Sequence, residues 1–398
     1  MKKVLIISQH FPPEKSGNAS RIFDLAFHLV KQGVQVTVVS PHPTFPTGAF
    51  SKTRKIRSRT LIHGIESVRL WSWQPISRDP GFLPRILYYL IFPVHAVFWI
   101  LFHSRQFDVI ITSSPPVFTH IPGRFAKAVY KKPWIMDIRD LWIDASISLG
   151  FLKKGSIFEK MSRIFETGCL NEADVVGVTT HELGRKLTDD PEVQKKIHHF
   201  PNGVDTDFFH PCAVLKMDQI VYAGNIGHAQ DLDLVIRAVQ LINMQQHLEL
   251  VIAGGGDTQS DLEHLVESEN LQSLIHFPGI LPREEIPRLF SASFLGIAPL
   301  KKLQSLEYAA PTKVYEYMAC GIPFIGCGSG EIREIADNSG AGIIAENSPE
   351  EIAKAILELV NNPKKRDEMG ASGRKFVEQR YTRKAIAAIL KKEIERIS

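Results

Sequence analysis

Short apolar runs alternate with stretches of helical period along the whole chain. Residues 4–8, 34–40, 108–112, 133–137 and 175–179 are apolar or β-branched and nearly continuous, as strands buried on both faces should be. Between the first two lies a helical pattern over 17–31. Ile22, Leu25, Ala26, Leu29 and Val30 share one of its faces, and Gly33 supplies a stop. The pattern restarts in the second half. Strands are predicted at 219–223, 248–253, 275–277, 295–298 and 323–326, and helices near 231–243, 259–269, 283–292, 313–319 and 349–361. A last, basic amphipathic helix spans about 383–397. Parallel strands separated by helices predict an α/β chain of two doubly wound, Rossmann-like domains. Residues 1–200 form the first domain and 201–380 the second, joined in the turn-rich stretch PNGVDTDFFHPC at 201–212. Such folds bind ligands outside the carboxyl ends of their strands, so a cleft between the two domains is the expected site.

Length supports this division, because 398 residues exceed what one hydrophobic core usually organises. At 44% hydrophobic and 23% charged, the chain is neither disordered nor a disulfide scaffold. The net charge of +4 hides an asymmetry. Residues 1–200 hold 27 Lys and Arg against 16 Asp and Glu, a balance of +11; residues 201–398 hold 20 against 27, a balance of −7. A basic half fits nucleic acid, an anionic membrane or phosphorylated substrates. No nucleic-acid reading motif is present. Cys169, Cys212, Cys320 and Cys327 lack metal spacing and read as free thiols. The apolar run after Lys3 is too short for a signal peptide, which points to a cytoplasmic protein. The stretch FLPRILYYLIFPVHAVFWILF at 82–102 is long enough to span a bilayer, but Pro84, Arg85, Pro93 and His95 interrupt it. It reads as a buried amphipathic helix, as a segment dipping into one leaflet, or as a spanning helix that would cut the first domain in two.

Four loops at strand ends carry candidate chemistry. Ser8–Gly17 follows the first strand, and Gly17 would open a helix whose amides suit an anion. It is not a dinucleotide GxGxxG fingerprint. Gly224, Asn225 and Gly227 follow the first strand of the second half, and Gly254, Gly255 and Gly256 the next. Glycines there permit close backbone approach. The fourth is PTKVYEYMACGIP at 311–323. Thr312 would cap its helix, Lys313 would add a positive charge at the amide end, and Glu316 lies one turn on.

Taken in order, FPPEKSG (11–17), PNGVDTDFF (201–209), YAGNIG (222–227), AGGG (253–256), FPG (277–279) and PTKVYEYMACGIP (311–323) resemble glycosyltransferase family 4. This is a GT-B group of retaining transferases that use nucleotide sugars. DIRDLW at 137–142 is similar to the fucosamine-transferase-like subgroup of bacterial envelope-polysaccharide enzymes. The resemblance implies a donor site in the second domain. Glu316 would hold the ribose; Thr312, Lys313 and Val314 would lie by the diphosphate; Phe277, Gly279 and Ile280 would meet the base through backbone. Gly17 would close on the diphosphate from the first domain, to which the last helix, about 381–398, would return. Gly224, Asn225, Gln230 and Gly254 complete the nucleotide-sugar set. The sequence departs from the family pattern at three places. Tyr308 stands where many members have a second Glu, with Glu307 one place away. Asn225 and Gln230 stand where many have Arg and Lys, and Asp137 replaces a frequent His.

Charge dictates the expected chemistry. Breaking a sugar–phosphate bond leaves negative charge on the diphosphate, which amides and Lys313 would stabilise. No Asp-x-Asp motif stands in the relevant loop, so neither an essential metal nor a cofactor is expected. Asp137 and Asp140 are the candidate acid and base, with Arg139 orienting them or binding an acceptor phosphate; the alternative is a structural Asp–Arg network. His10 and His120 are secondary candidates. The expected partners are a nucleotide sugar, UDP-linked by preference, a lipid-pyrophosphate-linked saccharide, and the inner face of the membrane through the basic half. The product class is O-antigen, capsule or exopolysaccharide. A sugar-nucleotide 2-epimerase and a non-catalytic scaffold are the competing readings.

Overall fold

The computed structural model describes every residue except 15, 45–49, 75–81, 149 and 304–305, together with the side chains at 82, 83 and 85. Lys15 of the first loop therefore lies outside the described residues. The chain divides into two compact units, 1–202 with 383–398, and 203–382.

The first unit is built on β1 (Lys3–Ser8), α1 (Gly17–Lys31), β2 (Gln35–Pro41), β3 (Arg57–Ile62), β4 (Ile65–Leu70) and α2 (Phe82–His103). It continues through β5 (Val109–Ser113), α3 (Ile121–Tyr130), β6 (Trp134–Ile138), α4 (Trp142–Ser148), α5 (Ile157–Glu172), β7 (Val175–Val178), α6 (His181–Leu187), α7 (Pro191–Gln194) and β8 (Ile197–His199). The sheet order is β3-β4-β2-β1-β5-β6-β7-β8. All pairs are parallel except β3 on β4. This hairpin is absent from the sequence reading, because RSRTLI looks like part of a basic run. A charged strand is what an exposed sheet edge favours, since charge there discourages edge-to-edge pairing. His63 and Gly64, at φ 49° and 83°, make the two-residue turn.

Helix α2 answers the question posed by its apolar length. It is long and apolar enough to cross a membrane. However, Phe92, Ala96, Trp99 and Ile100 pack with Leu5, Ile7, Val39, Val68 and Leu70 in one core cluster. A spanning pose would strip these contacts from the sheet. The opposite face stays apolar in solvent, with Phe98 60% and Phe102 84% exposed.

The second unit contains β9 (Gln219–Asn225), α8 (Leu232–Asn243), β10 (Glu249–Gly255), α9 (Gln259–Ser268), β11 (Ile275–Gly279), α10 (Ile286–Ala292) and β12 (Gly296–Ala298). Then follow α11 (Thr312–Ala319), β13 (Phe324–Cys327), α12 (Glu331–Ser339), β14 (Gly342–Ala345), α13 (Pro349–Val360) and α14 (Pro363–Arg380). Its sheet is wholly parallel, in the order β11-β10-β9-β12-β13-β14. Core clusters cover both faces: Val235, Ile236, Val239 and Ile356 lie in one, Val314, Tyr317, Met318 and Phe376 in the other.

The last helix, α15 (Arg383–Ile397), belongs to the first unit. Its Ile386, Leu390 and Ile394 join Ile22, Leu25 and Leu29 of α1 in one cluster. Arg383 forms a buried ion pair with Asp24 of α1. Cys169, Cys320 and Cys327 are buried and Cys212 half-buried, all as free thiols.

Candidate active site

In the second unit the strand order reverses between β9 and β12, the switch point at which open α/β sheets leave a crevice. Strands β9 and β10 reach it with Gly224 and Gly254 as register partners. Both adopt positive φ, 148° and 142°. A Cβ on Gly254 would sit 1.9 Å from the Gly224 carbonyl oxygen, and one on Gly224 would sit 3.1 Å from Lys313 Nζ. Gly254 thus lets β10 close on β9, and Gly224 leaves room for Lys313, from the start of α11, beside the strand end. Its ammonium rests 3.5 Å from the centroid of the buried Tyr222 ring, and the Tyr222 hydroxyl donates to the Asn225 carbonyl. Burial pushes the Lys313 ammonium down to about 7, and Glu316 opposes that shift. Glu316 is half-buried, three residues further along the same helix.

Several expected residues fall differently. Thr312 is not a cap: Pro311 occupies that position, no side chain caps the helix, and Thr312 is its first residue. The Val314 side chain is core, and its N–H donates to the Pro311 carbonyl at 3.1 Å. That amide is therefore engaged within the chain. Gln230 closes a turn, its Oε1 accepting from the Gly227 N–H at 3.3 Å, which leaves its amide nitrogen outside that bond. Asn225 is exposed at the end of β9. Phe277 packs on the core, while Gly279, at φ 74°, turns the chain so that Ile280 lies over Gly255. Tyr308 is buried, and Glu307 Oε1 accepts from Ser329 Oγ at 3.4 Å.

The first unit presents its own strand ends, with the reversal between β1 and β5. In the loop after β1, His10 Nδ1 meets Glu14 Oε2 at 2.8 Å. Ser16 caps α1 by accepting the Ala19 N–H at 3.2 Å, and Gly17 is the exposed first residue of that helix. At the ends of β5 and β6, Ser113 and Asp137 are register partners. Ser113 Oγ donates to Asp137 at 2.7 Å, and Arg21 of α1 grips both carboxylate oxygens at 2.7 and 3.1 Å. Burial pushes this carboxyl up, but the Arg21 charge and the bonds from Arg21 and Ser113 outweigh it and hold the pKa below its ordinary value. A low-pKa carboxylate with both oxygens occupied is an anchor and a poor proton carrier. Of the two readings of this segment, the Asp137 contacts fit the structural Asp–Arg network.

The next residues differ. Arg139 spends Nη2 on Asn202 Oδ1 at 2.9 Å, while its buried Nε and Nη1 have no partner among the described residues. Burial, then the nearby Arg21 charge, lowers it to about 9. Asp140 has a buried, unpartnered Oδ1, and burial raises its carboxyl to about 6 against the pull of Arg139. This pair carries unspent hydrogen-bonding capacity, which buried polar groups rarely keep without a function. His120 is neutral: it bonds Thr112 Oγ1 at 2.8 Å, burial lowers its pKa to about 3, and its buried Nε2 meets no partner among the described residues. Sequence reasoning missed Arg21, Tyr222 and Glu166, whose carboxyl burial raises to about 7. Arg21 did leave a signal, as a charge set beside Ile22 on the apolar face of α1.

With the geometry in place, comparison with known proteins can be read. A profile described as Glycosyltransferase Family 4 matches residues 16–208, and one described as Glycosyl transferases group 1 matches 206–376. The chain is 22% identical over 338 residues to WcaI of Escherichia coli, named as a colanic acid biosynthesis glycosyl transferase, covering 80% of this chain and 81% of that one. Among solved structures, sucrose-phosphate synthase from Thermosynechococcus elongatus aligns at TM-score 0.78 and 18% identity, over 100% of this chain and 99% of that one. HepE of Anabaena, solved with UDP and glucose, aligns at TM-score 0.72 and 15% identity, over the full length of both. Two parallel-sheet Rossmann-like domains with these neighbours make the fold GT-B.

Proposed function

From the premise that this chain is a glycosyltransferase, with a family 4-type domain followed by a group 1 domain, we propose a specific donor and acceptor. The enzyme moves a sugar from a nucleoside diphosphate sugar, UDP-linked, to a lipid-pyrophosphate-linked saccharide in envelope-polysaccharide assembly. The work takes place at the cytosolic face of the membrane, without a metal, and with retention at the anomeric carbon. The colanic acid relative supports the pathway class, and the UDP-bound neighbour supports the nucleotide.

The observation that carries the donor half is Lys313 lying against Gly224 and over the Tyr222 ring at the switch point. A diphosphate placed there meets the first turn of α11 and the ammonium together. When the bond between the anomeric carbon and the diphosphate oxygen breaks, both act on the charge that develops. Glu316, one turn along, accepts the ribose hydroxyls. On the acceptor side, Arg139 turns its unpaired guanidinium nitrogens to an acceptor phosphate. Asp140 takes the proton of the attacking hydroxyl, and Asp137 with Arg21 holds the strand end that positions them. The outer apolar face of α2 rests on the leaflet that carries the acceptor.

Calorimetric titration with UDP and with GDP tests the donor half. Binding of UDP in preference to GDP is expected, and Glu316→Ala should weaken it about tenfold or more while leaving the melting temperature unchanged. Absence of UDP binding at millimolar concentration would overturn the reading. Bound UDP without sugar transfer to any lipid acceptor would favour a scaffold role instead.

A further inference from the structure

Helix α5 is amphipathic in an unusual direction. Its inner face carries the polar load. Glu159 accepts from the Gly155 N–H at 2.5 Å and from Arg163 at 2.9 Å, and Glu172 pairs with Arg124 at 2.6 Å. Arg163 also reaches Asp144 of α4 at 2.6 Å. The outer face carries Ile157, Met161 and Ile164, which are 78%, 63% and 73% exposed and sit at i, i+4 and i+7. The remaining exposed positions of the helix are Lys160, Thr167 and Asn171, and exposed Lys153 and Lys154 stand just ahead of it. Glu159 is buried and Glu166 half-buried, and the half-exposed Glu172 at the end of the helix is engaged with Arg124.

We propose that the outer face of α5 is a second lipid-docking surface, separate from α2, which seats in an anionic phospholipid leaflet. Three large apolar side chains in water with lysines on the flank are the composition of an interfacial helix. The lysines select the leaflet's negative headgroups. A second copy of the chain is the poorer occupant. Apposing two such faces brings two sets of Lys153, Lys154 and Lys160 to one interface, where the half-exposed acid of the helix, Glu172, is already engaged with Arg124. The position also serves the acceptor. Phe158 and Phe165 of α5 pack on Phe118 at 5.6 and 6.4 Å, and Phe118 meets Trp142 at 5.6 Å, two residues after Asp140. A leaflet held at α5 thus lies one aromatic layer from the residues assigned to the acceptor. This deepens the acceptor half of the proposed function and rests on it for its purpose, though not for its test.

The test is co-sedimentation of the full chain with vesicles of mixed phosphatidylglycerol and phosphatidylcholine, and with phosphatidylcholine alone. The combined Ile157→Ser, Met161→Ser and Ile164→Ser variant should lose about tenfold or more in partitioning to the mixed vesicles. Its melting temperature and UDP binding should be unchanged. Lys153→Gln, Lys154→Gln and Lys160→Gln together should remove the preference for the anionic vesicles. Repeating the serine substitutions on a Phe98→Ser/Phe102→Ser background separates α5 from α2; a further fall is expected there. Wild-type partitioning by the triple serine variant would overturn the proposal. So would a lipid-free wild-type dimer in sedimentation velocity that this variant converts to monomer. Failure of UDP binding would instead count against the donor reading alone.

Discussion

Lys313 shows how burial turns a plain charge into a titrating one. Its ammonium sits near 7 because neighbouring groups displace water from it and Glu316 only partly compensates. An arriving diphosphate favours the charged form, so donor binding takes up a proton above neutral pH. The affinity for UDP-glucose, whose diphosphate does not titrate in this range, should be highest below pH 7. It should fall by up to about tenfold per unit as pH rises through 7. Calorimetry at pH 6.5 and 8.5 checks this, and Lys313→Arg should flatten the dependence, because a guanidinium stays charged. Asp140 is the opposite case. Its carboxyl is raised to about 6 in the folded chain, against 3.8 as the ordinary value. The protonated form is favoured on folding, so its contribution to stability is complete below the unfolded pKa and is lost as pH rises through about 6. At pH 8 the ionised group costs up to about 3 kcal/mol. Asp140→Asn should therefore raise the melting temperature at pH 8 while lowering kcat by about a hundredfold or more. A stable, fully active variant would remove Asp140 from the reaction. Of the residues singled out from sequence, Lys313, Gly224 and Gly254 were legible through their strand-end and helix-start settings. The Tyr222 platform was not, because a tyrosine inside an apolar strand signals only core.

At the scale of elements, periodicity located most of the parallel strands and their helices, including α1 and α15, since burial on one face repeats at 3.6 residues whatever the tertiary partner. The β3–β4 hairpin escaped because an edge strand is selected for charge, which hides its alternation. Helix α2 remained open between three readings, because an apolar helix against a sheet and one in a leaflet have the same composition. The packing of Phe92, Ala96, Trp99 and Ile100 on the sheet decides for the core. Helix α15 is held to α1 by Ile386, Leu390 and Ile394 and by the buried Asp24–Arg383 pair. Removing one partner leaves a buried charge alone. Asp24→Ala should therefore cost about 3–5 kcal/mol in urea unfolding of the first unit. Replacing both partners with apolar residues should cost much less, and equal losses from the single and double variants would refute the pairing argument.

At the scale of the whole molecule, the charge asymmetry grows once α15 is counted with the unit that contains it. Residues 1–202 and 383–398 hold 32 Lys and Arg against 18 Asp and Glu, a balance of +14, and 203–382 hold 15 against 25, a balance of −10. The basic unit is the one bearing both exposed apolar faces, on α2 and α5. In the proposed reading the acidic unit meets an anionic donor through one helix start and one lysine, so that local field outweighs net sign there. The sequence by itself determined the two α/β halves, the glycine-lined strand ends and the lysine at a helix start. Backbone periodicity and turn chemistry are local, and local rules are written in the chain. Tertiary structure alone decided which charges are spent and which are held ready. Asp137 is saturated by Arg21 from 116 positions away, whereas the half-buried Asp140, three residues on, keeps a buried oxygen with no partner among the described residues. Pairing and desolvation depend on what folding brings within a few ångströms, and spacing along a sequence does not record that.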